Sequence, residues 1–394
     1  MTVDFSRRRL LGDVTRLIGL AAGGASFCQG LLVRPPQAAQ QPGPPGEPMI
    51  VYSREYLTLE MPMSRLTSWV TPVESFFVRN NLLMPVVKLS DWRLTIHGEV
   101  ERPLTFTANE IMQLASSRVT NTIECAGNGR AYYRPTIGGV PWGRGGVGNG
   151  VFEGPRLADV LRMAGLKPTA RHVAFRGLDV VPAGSPEFIR SIPLSKALDP
   201  NTLLATKMNG LPLTPEHGFP VRSLVPGWIG SASIKWLTEI RVLPHEFDGF
   251  YMNPGYRLPR AESSRGDRPQ TETVSITGLR VKSIVAEPSD GAVLAQGLVT
   301  IRGASWAGES AIAKVEISID EGRTWHVTEL DKDRAKYAWR LWRYQWRPGH
   351  PGEYTILSRA TDDAGLAQPI EPRWNPGGYL WNGVDRIQVR VGGA

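Results

Sequence analysis

Ile123-Glu124-Cys125-Ala126-Gly127-Asn128-Gly129-Arg130 follows a strand-like run, Val119 to Ile123, and opens a glycine-bearing turn. The stretch matters because of its thiol. The 394-residue chain has two cysteines, and the other, Cys28, falls in a leader expected to be removed. Cys125 is then the one thiol of the mature protein, presented at a strand end with Arg130 five residues on to favour its thiolate. The competing reading is a buried cysteine acting as a small hydrophobe. The rest of the chain decides between them.

Composition sets the frame. Charged residues make up 21% and hydrophobic residues 41%, as in ordinary globular proteins. The length fits two domains and a tail. The formal charge is +8, of which +3 belongs to residues 1–39. The remainder is mild and suits an anionic substrate or an acidic partner. No lysine/arginine block points to nucleic acid. One mature cysteine excludes an intrachain disulfide, a Cys-x-x-Cys-His haem attachment and a zinc knuckle.

At the N-terminus, Ser6-Arg7-Arg8-Arg9-Leu10-Leu11-Gly12 precedes a weakly apolar run from Leu17 to Phe27. It resembles a twin-arginine export signal, which places the protein in the periplasm. The run is too short and too rich in glycine and alanine for stable membrane insertion. Residues 1–39 are read as that signal and 40–50, rich in proline, as a linker.

From 51 to 265 short strand and helix patterns intermix. Asp91 to Gly98 alternates like a strand. Thr107-Ala108-Asn109-Glu110 is a capping box opening a short helix. Leu157, Val160, Leu161 and Ala164 mark a helix that Gly165 and Pro168 stop. Strands and helices do not alternate regularly, so this half reads as α+β. Gly143-Arg144-Gly145-Gly146-Val147-Gly148 matches a dinucleotide fingerprint, but no convincing strand precedes it. It reads instead as a loop whose backbone closely approaches some ligand.

A polar linker at 261–270 separates this half from residues 271–394. There, short strands broken by turns such as Asp320-Glu321-Gly322 predict an immunoglobulin-like β-sandwich. Seven of the twelve tryptophans lie in it, expected in a core first and an interface second.

Taken in order, several motifs resemble the sulfite oxidase family of molybdenum enzymes, closest to bacterial periplasmic sulfite dehydrogenases. They are Phe76-Phe77-Val78-Arg79-Asn80-Asn81, Glu124 to Arg130, His217-Gly218-Phe219-Pro220-Val221-Arg222, Pro226-Gly227 and Lys235-Trp236-Leu237. Thr324-Trp325, Asp362-x-x-Gly365 and Trp374-Asn375…Gly378-Tyr379 extend the resemblance through the second domain.

The resemblance implies a mixed molybdopterin-binding catalytic domain over 51–265, followed by the sandwich at 271–394 as a dimerisation domain. It implies that Cys125 ligates molybdenum carried by molybdopterin, a soft thiolate suiting that metal. Further cofactor contacts are implied at Phe77, Val78, Arg79, Asn80, Asn81 and Asp179. His217, Arg222, Ser233, Ile234 and Lys235 are implied on its phosphate side. Arg79 and Arg130 would bind the substrate anion, beside Trp142 and Tyr256. The implied reaction is oxidation of sulfite to sulfate by a homodimer, with electrons leaving to a c-type cytochrome. Two positions depart from the pattern: Asn81 replaces a histidine common among relatives, and Gly377 stands where animal members carry an arginine. Two alternatives stay open: the same fold acting on another oxyanion or a sulfoxide, and a cofactor-free binding protein.

Overall fold

The structure, a computed structural model, describes residues 47–260 and 272–392. The predicted export signal, most of the first linker and the linker at 261–270 lie outside the described residues. The described residues form one compact unit.

The capping box forms as read. The Thr107 side chain accepts from the Glu110 amide, Glu110 reaches back to the Thr107 amide, and the helix Ala108–Gln113 follows. The helix Leu157–Ala164 buries Leu157, Val160, Leu161 and Ala164, and Gly165 ends it at φ 71°. Both supply apolar side chains to the core of a five-stranded sheet. Its order is Leu104–Thr107, Arg93–Gly98, Leu237–Leu243, His172–Gly177, Ile189–Pro193. Leu237–Leu243 runs parallel to Arg93–Gly98 and antiparallel to His172–Gly177, so the sheet is mixed.

A second sheet carries the cysteine. Strand Ser116–Glu124 pairs antiparallel with Val147–Pro155 without a break, from Ser116 opposite Pro155 to Glu124 opposite Val147. The partner strand begins inside the glycine-rich run that the sequence reads as a loop. Nearly all of it is buried, and its glycines are required by close neighbours. A Cβ on Gly148 would lie 2.7 Å from the Phe76 ring, and one on Gly154 2.0 Å from the Leu204 carbonyl oxygen. The close approach expected of the run is real, but its partner is the chain's own Glu60. That carboxylate accepts from the amides of Gly143 at 2.9 Å and Gly145 at 2.8 Å.

Residues beyond 272 form the expected sandwich, a four-stranded and a five-stranded sheet over a core that includes Val285, Ile301, Val315, Trp342, Ile356 and Ile387. The tryptophans divide between two jobs. Trp342 and Trp346 fill the sandwich, whereas Trp306 and Trp339 join Met61, Ala126, Val147 and Ile229 in a core shared by both halves. Helices are few and short, so the chain as a whole is β-rich. No helix among the described residues is long and apolar enough to cross a membrane.

Candidate active site

The paired strands deliver Cys125 to the wall of a cavity. Its amide donates to Gly146 O at 2.8 Å, and its carbonyl accepts from the Asn128 amide at 2.9 Å. The turn then needs Gly129 in the left-handed region, φ 89°, with its amide on Gly143 O at 2.7 Å. Burial holds the Cys125 thiol above its ordinary range, against the pull of Arg79, the Gly127 amide and Arg130. Arg79 exerts the larger pull of the two arginines, although the sequence points to Arg130 for that role.

The cavity is lined by residues from both ends of the first half. Phe77, Val78, Arg79, Asn80, Asn81, Cys125, Asp179, His217, Arg222, Ser233, Lys235 and Tyr256 all face it, so most of the implied site converges. One cluster surrounds the thiol. Arg79 Nη2 donates to Asn81 Oδ1 at 2.8 Å, and Asn81 Nδ2 donates to the Tyr256 hydroxyl at 3.2 Å. Asn81 thereby bridges the arginine and the phenol. Burial raises the Tyr256 phenol, so it stays protonated and able to donate at neutral pH.

The other cluster is basic. Arg222 is buried, with Nη1 on His217 O and Nη2 on Ser233 O, each 3.1 Å, and its Nε finds no partner. Lys235 donates to Glu216 O at 2.8 Å and to the Asn80 side-chain oxygen. Burial pushes His217 down to about 3, with Lys235 and Arg222 adding to the fall, and Arg222 down to about 10. Burial and then Arg222 push Lys235 down to about 7. Asp179 moves the other way, raised by burial to about 6. Cations desolvated with so little compensating charge form a site that gains by taking an anion. The unpartnered buried Arg222 Nε and Asn80 Nδ2 add donors still unmatched. This donor set fits a cofactor that ends in a phosphate.

Three implied residues do not line the cavity. Arg130 packs over Gly127, and its terminal nitrogens donate to Val140 O at 3.0 Å and Gly377 O at 3.1 Å. Trp142 is fully buried behind Phe77, ring centroids 6.0 Å apart, and Ile234 is buried in the sheet core. Sequence reasoning missed Phe188 and Glu216 in the lining, and Arg190 just behind it. The Arg190 guanidinium stands 4.9 Å from the centre of the Tyr256 ring, 2% exposed and without a paired carboxylate among its hydrogen bonds. Its strand, Ile189–Pro193, carries no motif; an arginine inside an apolar run was the one available signal.

Known proteins match this architecture. Residues 81–251 match the family described as "Oxidoreductase molybdopterin binding domain" and residues 273–392 the "Mo-co oxidoreductase dimerisation domain". These define a molybdopterin-dependent oxidoreductase with a two-part fold. Mitochondrial sulfite oxidase of Macaca fascicularis is 36% identical over 359 residues, covering 86% of this chain and 65% of the relative. The sulfite oxidase of Arabidopsis thaliana is 33% identical over 397 residues, covering 91% of this chain and 98% of the relative. The chain belongs to the sulfite oxidase family. It spans just under two-thirds of the mitochondrial relative's length. The sulfane dehydrogenase SoxCD of Paracoccus pantotrophus shares the fold, with a TM-score of 0.75 at 24% identity over 92% of this chain and 96% of that one. The family's cofactor is molybdenum with molybdopterin, and the cavity's donor set fits it.

Proposed function

We propose that the protein oxidises sulfite to sulfate and passes the electrons to an external acceptor, a c-type cytochrome, in the periplasm after twin-arginine export. The observation that carries this reading is the meeting of Cys125, Arg79, Asn81 and Tyr256 on one wall of a cavity whose other wall is basic. In this reading Cys125 is the protein's own ligand to the metal, and the pterin's sulfurs are the remaining soft donors. When bound, the cofactor supplies two-electron redox chemistry at a metal that accepts and returns oxygen.

The chain's own residues do the rest. Arg79 offers forked donors to the anion, and Asn81 fixes the plane of that fork. Tyr256 presents a protonated hydroxyl to an anionic oxygen. Arg130, held by backbone carbonyls, supports the ligand turn and contributes positive charge. Sulfite and water yield sulfate, two protons and two electrons. Residues 273–392 carry the family's dimerisation domain, and a homodimer is the proposed assembly.

The test is a metal and pterin assay of the purified protein, followed by sulfite turnover with cytochrome c and with oxygen. We expect molybdenum near one per chain, turnover with cytochrome c, and slow oxygen consumption. Cys125→Ser abolishes turnover at any sulfite concentration. Arg79→Gln lowers kcat/KM about ten- to a hundredfold, the loss of one charged hydrogen bond. Near-normal turnover of Cys125→Ser sinks the assignment.

A further inference from the structure

The turn that carries Cys125 is held in large part by the second domain. Glu124, next to the cysteine, lies in a buried cluster: Lys282 Nζ is 2.5 Å from its Oε1, and Trp306 Nε1 donates to its Oε2 at 2.9 Å. Asn128 Nδ2 donates to the same carboxylate at 3.0 Å. The Lys282 and Glu124 side chains are 3% and 5% exposed. Further grips follow along the turn. Leu380 N donates to Ala126 O at 2.8 Å, Arg130 Nη2 reaches Gly377 O, and the Trp381 ring fills the space over Gly129. Upstream, Thr122 N donates to Tyr337 O at 2.8 Å.

A buried ion pair is a poor device for stability, since apolar side chains of the same volume often do as well. It is a good device for fixing one geometry, because every lone pair and proton in the cluster must find its partner. Groups standing behind a metal ligand set its aim in the same way. We infer that Lys282 and Trp306, acting through Glu124, are positioning residues of the active site, and that the second domain thereby sets the conformation of the turn bearing Cys125. The inference rests on the reading of Cys125 as the metal ligand.

The experiment uses the full-length holoenzyme and reads amide hydrogen exchange of the peptide spanning 124–132. Lys282→Met leaves the buried Glu124 carboxyl without its partner. We expect exchange in that peptide to rise at least tenfold and kcat to fall more than KM rises. In Lys282→Met/Glu124→Gln a neutral amide replaces the carboxyl, and exchange returns to within about threefold of the parent. Trp306→Phe removes one donor and keeps an aromatic side chain there, giving a smaller rise and a second variant to read if Lys282→Met does not fold. Glu309→Ala is the control. It cuts another contact between the halves, with Lys196 at 2.5 Å, and leaves Lys196 over the Tyr337 ring. It should leave exchange at 124–132 unchanged. Unchanged exchange in both Lys282→Met and Trp306→Phe overturns the inference. So does an equal rise in Glu309→Ala. Exchange reports on the turn whatever the substrate, whereas near-normal sulfite turnover by Cys125→Ser overturns the ligand reading alone.

Discussion

Lys235 shows what desolvation costs the basic wall. Its ammonium shares the wall with Arg222, and burial followed by that neighbour lowers its pKa to about 7 from an ordinary 10.5. Between those values the unfolded chain holds a proton that the folded chain lacks. The stability of the cofactor-free protein therefore rises as pH climbs from about 7 toward 10.5, and the penalty is complete below 7. Asp179, raised to about 6 from 3.8, contributes in the opposite sense. Its penalty grows as pH rises through that interval and is complete above 6. Both penalties act together between about pH 6 and 7. Lys235→Met should stabilise the cofactor-free protein there by on the order of 1–2 kcal/mol, discounted for partial exposure, and should flatten the rise above pH 7. The same variant should retain less cofactor. Thermal melts from pH 5.5 to 9 and a pterin assay check both. A lower melting temperature would show that the bonds to Asn80 and Glu216 outweigh the desolvation. Residues of this kind are legible in the sequence as a spaced His…Arg…Lys run. Arg190 is not, because what gives it meaning is Tyr256, whose ring it meets only in the folded chain.

The strand Val147–Pro155 depends on a carboxylate from far upstream. Glu60 is 3% exposed and accepts from two loop amides and from the Tyr52 hydroxyl at 2.6 Å. Burial, together with that bond to Glu60, raises the Tyr52 phenol well above its ordinary value. Glu60→Ala leaves one buried and one half-buried amide without an acceptor, a loss of roughly 2–4 kcal/mol. Glu60→Gln keeps the shape and should lose about half as much. Urea unfolding should show a lower midpoint with an unchanged slope; a midpoint within error of the parent in Glu60→Ala would mean that water replaces the carboxylate. Elements governed by local rules are readable from the amino-acid order alone. The capping box at Thr107 and the apolar stripe from Leu157 to Ala164 involve neighbours three and four residues apart. The glycine-rich strand misleads because Gly148 and Gly154 answer to Phe76 and Leu204, contacts that local composition does not encode. With glycine at 148, 150 and 154, one face of the strand has few side chains and the period is weak.

At the scale of the whole molecule, the two halves and their boundary are legible from composition, while the core they share is not. Trp306 and Trp339 look like any sandwich tryptophans until Met61 and Ala126 are seen against them. The remaining question at this scale is where electrons go. The sequence holds no haem-attachment motif, and Cys125 is the free cysteine of the described residues. In the proposed reaction the two electrons released per sulfite leave through the surface of this chain, one at a time if a c-type cytochrome takes them. Beside the lining residue Asp179 the surface is apolar, with Leu178, Val180 and Val181 exposed, and Phe250 is exposed next to Tyr251. Redox encounters use small interfaces that release quickly, and charge steers them more than it holds them. Residues 40–394 carry a surplus of five positive charges, which favours a partner with an acidic face. Such steering weakens as the Debye length shrinks from about 10 Å at 0.1 M salt to about 3 Å at 1 M. Turnover with cytochrome c should fall over that range, and turnover with a small neutral acceptor should fall much less. Equal sensitivity with both acceptors would place the salt effect on sulfite meeting Arg79 instead of on partner docking. Rapid oxygen consumption with no added acceptor would replace the dehydrogenase reading with an oxidase.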